Sequence, residues 1–208
     1  RIGSKIDHLV LKMDSNVDIQ QFRLLSVHAP NITILYVNNH SEFFSDELLS
    51  FWKLQELLCD INDISSDLLI LVAHHCPELR VLYFTWMVYG ESDDAALTTL
   101  AQHCPKLKTL LLSGGNFTYV SWISLSECCP HLESLTTHHR WTPIPLSLLP
   151  RCAHALSCIH GINSSVIMTV SEALIPYITG LGSLTFDSSA DNRYVPQLVR
   201  HCKKLTSI

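Results

Sequence analysis

Charge is scarce in this chain: 16% of its 208 residues are Asp, Glu, Lys or Arg, and the basic residues are outnumbered, 14 against 19. A formal charge of −5 provides no general positive field to hold a polyphosphate backbone, so nucleic acid is not an expected partner. Long apolar runs are missing as well. Leu68 to Ala73 is typical in ending quickly at a polar residue, far short of the roughly 18 apolar residues a membrane span needs. Catalytic signatures are absent too. There is no G-x-S-x-G turn, no phosphate-binding G-x-x-x-x-G-K and no G-x-G-x-x-G, and no C-x-x-C pair occurs among the cysteines. These absences predict a water-soluble chain that is not an enzyme, needs no cofactor or metal, and has no membrane partner. The 47% apolar content is enough for a sizeable core and excludes a disordered tail.

What the chain does contain is a period. Segments of the form apolar-x-x-apolar begin at Ile6, Ile32, Leu54, Leu79, Leu107, Leu132, Leu156, Leu181 and Leu205, at spacings of 22 to 28 residues. Their mean, about 25, lies inside the 20 to 29 of leucine-rich repeats. A second pattern keeps the same phase. Counting back from each first apolar residue, positions −10, −7, −6 and −3 read Leu69, Val72, Ala73, Cys76, then Leu97, Leu100, Ala101, Cys104, then Trp122, Leu125, Ser126, Cys129. Val195, Leu198, Val199, Cys202 and Phe22, Leu25, Ser26, Ala29 follow suit. This spacing places one apolar stripe on a helix of two to three turns.

Each repeat is therefore expected to be a strand followed by a return helix. Ser65, Ser66 and Asp67, and Ser92, Asp93 and Asp94, supply capping oxygens and negative charge at helix starts. Pro30, Pro77, Pro105 and Pro130 directly follow position −3, where a fixed φ and a missing N–H end the helix. One such unit cannot bury its apolar face alone, so neighbours must stack. The expected fold is an α/β leucine-rich-repeat solenoid, a horseshoe of about nine divergent repeats with parallel strands on the concave face and helices on the convex face. Nine strands at roughly 4.8 Å spacing make a sheet on the order of 40 Å long, room for a protein surface. Because the chain opens on Arg1 and closes at Ile208 on the start of a strand, residues 1–208 are expected to be a single such domain cut at both ends.

The phrases His75-Cys-Pro-Glu-Leu79, His103-Cys-Pro-Lys-Leu107 and Cys129-Pro-His-Leu132 resemble the cysteine-containing class of leucine-rich repeats, and within it the F-box leucine-rich-repeat proteins. The likeness to the repeat class covers essentially the whole chain, although the F-box itself does not lie within it. The class usually places Cys or Asn at position 9 of each repeat. Here that column reads Asp14, His40, Asn62, Met87, Gly115, Arg140, Ser164 and Ser189. The resemblance thus implies irregular repeats of the kind found in substrate receptors. It further implies that the repeats hold a protein target while an F-box outside this chain docks a Skp-type adaptor and a cullin ubiquitin ligase, in the cytoplasm or nucleus. Two other classes compete: a scaffold or inhibitor unrelated to ubiquitination, and a secreted recognition domain. An F-box preceding Arg1 would favour the first reading, a signal peptide the last.

The cysteines at −3 are read as packing residues, since free Cys is among the most buried residue types. Zinc needs four groups converging on one point, and His74-His75-Cys76, Cys128-Cys129-Pro-His131 and Cys152-Ala-His154 sit on successive helix ends instead. His28, His75, His103 and His201 share position −4, where an imidazole is favourable beside helix carbonyls. Asn31-Ile-Thr33, Asn116-Phe-Thr118 and Asn163-Ser-Ser165 match glycosylation sequons, but separate buried thiols argue for a reducing compartment.

On each strand, alternation buries positions 4 and 6 and turns 3, 5 and 7 to the open face. The fifth row reads Val10, Tyr36, Leu58, Tyr83, Leu111, Thr136, His160 and Thr185, nearly neutral and moderately aromatic, which suits a protein or peptide. Large aromatic residues and Arg bury much area with few rotatable bonds. The candidate contact residues are accordingly Tyr36, Tyr83, His138 and His160 on the strands, with Trp86, Arg140 and Trp141 on the rim loops. His138 and His160 lie on adjacent strands and are expected to make binding depend on pH near 6 to 7.

Overall fold

In the computed structural model, residues 8–12, 27–38, 51–60, 66–85, 93–113, 115–137, 158–162, 182–186, 200 and 204 are described. They form β1 (His8–Lys12), β2 (Ile34–Asn38), β3 (Glu56–Asp60), α1 (Ser66–His75), β4 (Val81–Thr85), α2 (Asp94–His103), β5 (Thr109–Ser113), α3 (Tyr119–Cys128), β6 (Ser134–Thr137), β7 (Cys158–Ile162) and β8 (Ser183–Phe186). These eight strands make one parallel sheet in chain order. The fourth position of each repeat falls on one ladder, Leu9, Leu35, Leu57, Leu82, Leu110, Leu135, Ile159 and Leu184, each opposite the next. Between β7 and β8 the pairing passes from His160 opposite Thr185 to Ile162 opposite Phe186, so Gly161 is an extra residue in the ladder.

The register follows from how each strand is launched. In successive repeats the N–H groups of two adjacent residues both donate to one carbonyl of the repeat before. Gln55 and Glu56 donate to Thr33, Arg80 and Val81 to Gln55, Lys108 and Thr109 to Arg80, and Glu133 and Ser134 to Lys108, at 2.7–3.0 Å. This shared acceptor pins each strand one step along from its predecessor. A one-residue slip would turn every buried side chain outward.

Positions 4 and 6 are buried in the central strands, with Leu35, Val37, Leu57, Leu82, Phe84, Leu110 and Leu112 at 0% exposure. On the same side lie α1, α2 and α3, packed in series. Their expected inward stripes are all buried, from Leu69, Val72 and Ala73 through Leu97, Leu100 and Ala101 to Trp122, Leu125 and Ser126. The arrangement is α/β and compatible with a stacked, solenoid-like repeat. No described helix is long and apolar enough to cross a membrane.

Cys76, Cys104 and Cys129 have a more specific role than filling space. The last carbonyls of a helix have no intrahelical donor. The Cys104 thiol donates toward the Ala73 and Cys76 carbonyls at 3.9 and 3.4 Å, and the Cys129 thiol toward those of Ala101 and Cys104, both at 3.7 Å. Cys76 does the same toward Phe51 at 4.0 Å. Each thiol thus covers carbonyls at the helix end or turn of the preceding repeat. Burial raises the Cys76 thiol pKa to about 12. Cys104 is also pushed up to about 12, by burial first and then by its Cys76 and Cys129 neighbours. Cys59 is raised further, again by burial. None of these four cysteines is in a disulfide.

The expected cap at Asp93 and Asp94 works differently from the sequence expectation. Asp93 makes no side-chain hydrogen bond within α2. Its carboxylate accepts from the Asn116 N–H of the next repeat at 2.8 Å, and Asp94 accepts from the Thr118 N–H at 2.7 Å and from the Thr118 hydroxyl. Thr118 in turn caps α3 by accepting from the Val120 N–H. The acids at the start of one helix therefore hold the loop that starts the next. Gly115 in that loop has φ 85°, a left-handed conformation that a side chain would penalise.

Candidate functional site

The side of the sheet opposite the helices is built by the same alternation that fills the core. Tyr36, Leu58, Tyr83 and Leu111 stand next to one another in register across β2 to β5. Tyr83 is 37% exposed, and Tyr36, Leu58 and Leu111 are half-buried. Beside them run Ile34, Glu56, Val81, Thr109 and Ser134 in the third row, all half-buried, with Thr85 and Ser113 in the seventh. The Thr85 hydroxyl donates to the Cys59 carbonyl at 3.3 Å, which fixes its rotamer. The described part of this face is an apolar and aromatic strip edged by hydroxyls, and Glu56 is the charged side chain among those described on it.

Such a strip is suited to binding a protein surface, where aromatic anchors supply area and hydroxyls supply adaptable hydrogen bonds. Among the described residues no group of three or more His, Cys, Asp or Glu side chains could hold a metal ion. The Cys59, Cys76 and Cys104 thiols are held protonated by burial and are poor nucleophiles for that reason.

Of the candidate contact residues, Tyr36 and Tyr83 lie on this strip. His160 lies on β7, opposite Thr136 and Thr185. Trp86, His138, Arg140 and Trp141 fall outside the described residues. Thr136, expected to face outward, is 9% exposed; its short side chain lies in register beside the longer Leu111.

Trp52, which sequence reasoning passed over, is the most exposed aromatic residue described, at 57%. Its signal was legible. From Ile32 to Leu132 the −2 column reads Pro30, Trp52, Pro77, Pro105 and Pro130, and Trp52 alone breaks it. The turn itself is unchanged, since the Leu54 N–H donates to the Phe51 carbonyl at 2.9 Å just as Leu79 donates to Cys76 and Leu107 to Cys104. The Lys53 ammonium lies 4.9 Å from the centre of the Trp52 ring and donates to Asn31 Oδ1 at 2.7 Å.

No family model matches the chain. No curated protein matches it either. Among solved structures it is similar to a chain in the crystal structure of the Rad7 and Elc1 complex in yeast, at 12% identity and a TM-score of 0.37, over 98% of this chain and 75% of that one.

Proposed function

We propose that this chain is a protein-recognition module of the leucine-rich-repeat type, a horseshoe of about nine repeats that binds a protein partner on the open face of its sheet and catalyses nothing itself. The observation that carries the reading is the in-register row Tyr36, Leu58, Tyr83 and Leu111, partly exposed on a sheet whose other side is closed by packed helices. A surface of that shape and polarity favours a macromolecule over a small substrate, which prefers an enclosing pocket.

In its finer form the proposal follows the sequence resemblance: the bound protein is a ubiquitination substrate, and an F-box elsewhere in the protein joins a Skp-type adaptor and a cullin, in the cytoplasm or nucleus. The test is capture by the full-length protein, comparing wild type with Tyr36→Ala plus Tyr83→Ala. Loss of specific partners with retention of a Skp-type adaptor is the expected result. Retention of every partner at equal yield would remove the sheet face as the binding surface, and absence of the adaptor would remove the ubiquitin-ligase form while leaving recognition intact.

A further inference from the structure

We propose a second docking surface, at the turn edge of the sheet around Trp52, that takes an acidic peptide segment carrying an apolar side chain. It is separate from the open face and does not rest on the function proposed above. Two observations meet there. The first is a bulky, exposed side chain that the fold does not require. Proline serves the same turn position in four neighbouring repeats, where it presets φ, and the turn hydrogen bond survives with Trp52 in its place. An indole at 57% exposure contributes little to the core, so packing does not account for it.

The second observation is charge. At this edge Glu78 is neutralised by Lys106 at 2.6 Å, and Glu133 by Lys108 at 2.8 Å. Lys53 and Arg80 are left as cations making no ion pair among the described residues. They sit in adjacent repeats: the Arg80 N–H donates to the Gln55 carbonyl, two residues beyond Lys53. Lys53 has three N–H donors, of which Asn31 takes one, so donors remain for a carboxylate while the ammonium covers one part of the ring. With its Lys53 contact tied back to Asn31, the indole is partly pre-organised, which lowers the ordering cost of binding. A net-negative protein that sets the Lys53 ammonium against an exposed indole, with Arg80 in the adjacent repeat, favours a carboxylate-rich ligand, with the ring accepting an apolar side chain.

The test uses purified protein and a short fluorescein-labelled peptide of Asp and Glu with a central pair of Leu, read by fluorescence anisotropy. A charge-reversed Lys peptide serves as the control. Trp52→Pro restores the turn residue of the neighbouring repeats, so it should keep or raise the melting temperature while weakening acidic-peptide binding about tenfold, the effect of an anchor residue. Arg80→Glu should weaken it by at least as much, and salt between about 50 and 200 mM should weaken the wild type several-fold. Tyr83→Ala, on the open face, should leave it unchanged. The proposal is overturned if the wild type does not bind the acidic peptide, if it binds the Lys peptide equally, if Trp52→Pro binds like wild type, or if Tyr83→Ala weakens binding as much as Trp52→Pro.

Discussion

Leu82 and Tyr83 are neighbours on one strand, yet one is fully buried under the helices and the other is the most exposed described residue of the open sheet face. The same contrast recurs at Leu35 and Tyr36, Leu57 and Leu58, and Leu110 and Leu111. A single alternation thus divides the sheet into a face whose residues decide whether the chain folds and a face whose residues are available for function. The sharpest way to break this division is mutation of adjacent residues. Leu82→Ala should cost about 2–5 kcal/mol in urea unfolding, the range for a buried Leu that leaves a cavity. Tyr83→Ala should cost less than about 1 kcal/mol, since part of its side chain already meets water. Equal costs would mean that something covers the open face.

The buried side is also where pH should act. Cys76 and Cys104 are pushed up to about 12, whereas the unfolded chain titrates its thiols near the ordinary value of 9.0. The native state therefore holds protons that the unfolded state has lost. Stability from these thiols is fully present below about pH 9 and declines as pH rises toward 12, by up to about 1.4 kcal/mol per thiol per pH unit. Cys104→Ala should flatten the slope of stability against pH between 9 and 10.5. An unchanged slope would show that Cys104 is not titrating from a buried position.

The buried half of the sheet was far more legible in sequence than the exposed half. Burial imposes a period, and the period located every described strand and placed Leu69, Leu97 and Trp122 on one inward stripe. The −3 cysteines were recognised as buried, but their thiol contacts to the preceding repeat were not, because a donor 25 to 31 residues from its acceptor leaves no local signature. Asp93 and Asp94 were read as caps of their own helix for the same reason: a carboxylate at a helix start looks local until the next repeat's backbone is beside it. On the exposed side no period operates, and a side chain such as Trp52 stands out only as a departure from its neighbours, here Pro30, Pro77, Pro105 and Pro130.

Between the two faces lies the loop that joins β5 to α3, where the cross-repeat bonds of Asp94 add to the packing of the buried Phe117. Removing the hydroxyl in Thr118→Val takes away both its bond to Asp94 and the cap on Val120. The expected cost is about 1 kcal/mol, typical of a lost cap and well below that of Leu82→Ala. Differential scanning calorimetry should show a shift of a few degrees. A loss as large as that of Leu82→Ala would mean that the loop, rather than the helix-covered face, governs cooperative folding.

The smallest effect is expected at the outer edge, where Lys106 meets Glu78 across two repeats with side-chain exposures of 50% and 41%. Two long side chains must be ordered to form this pair, and water screens the attraction, so exposed pairs contribute about 0–1 kcal/mol. A double-mutant cycle of Lys106→Ala and Glu78→Ala isolates the coupling from the loss of each side chain's own contacts. Coupling below about 0.5 kcal/mol that fades in high salt would place the edge with the open face, as a surface whose charges are arranged for something other than stability. Coupling above about 1.5 kcal/mol, insensitive to salt, would make the pair a structural staple between repeats and move the boundary of the folding half outward to the turns.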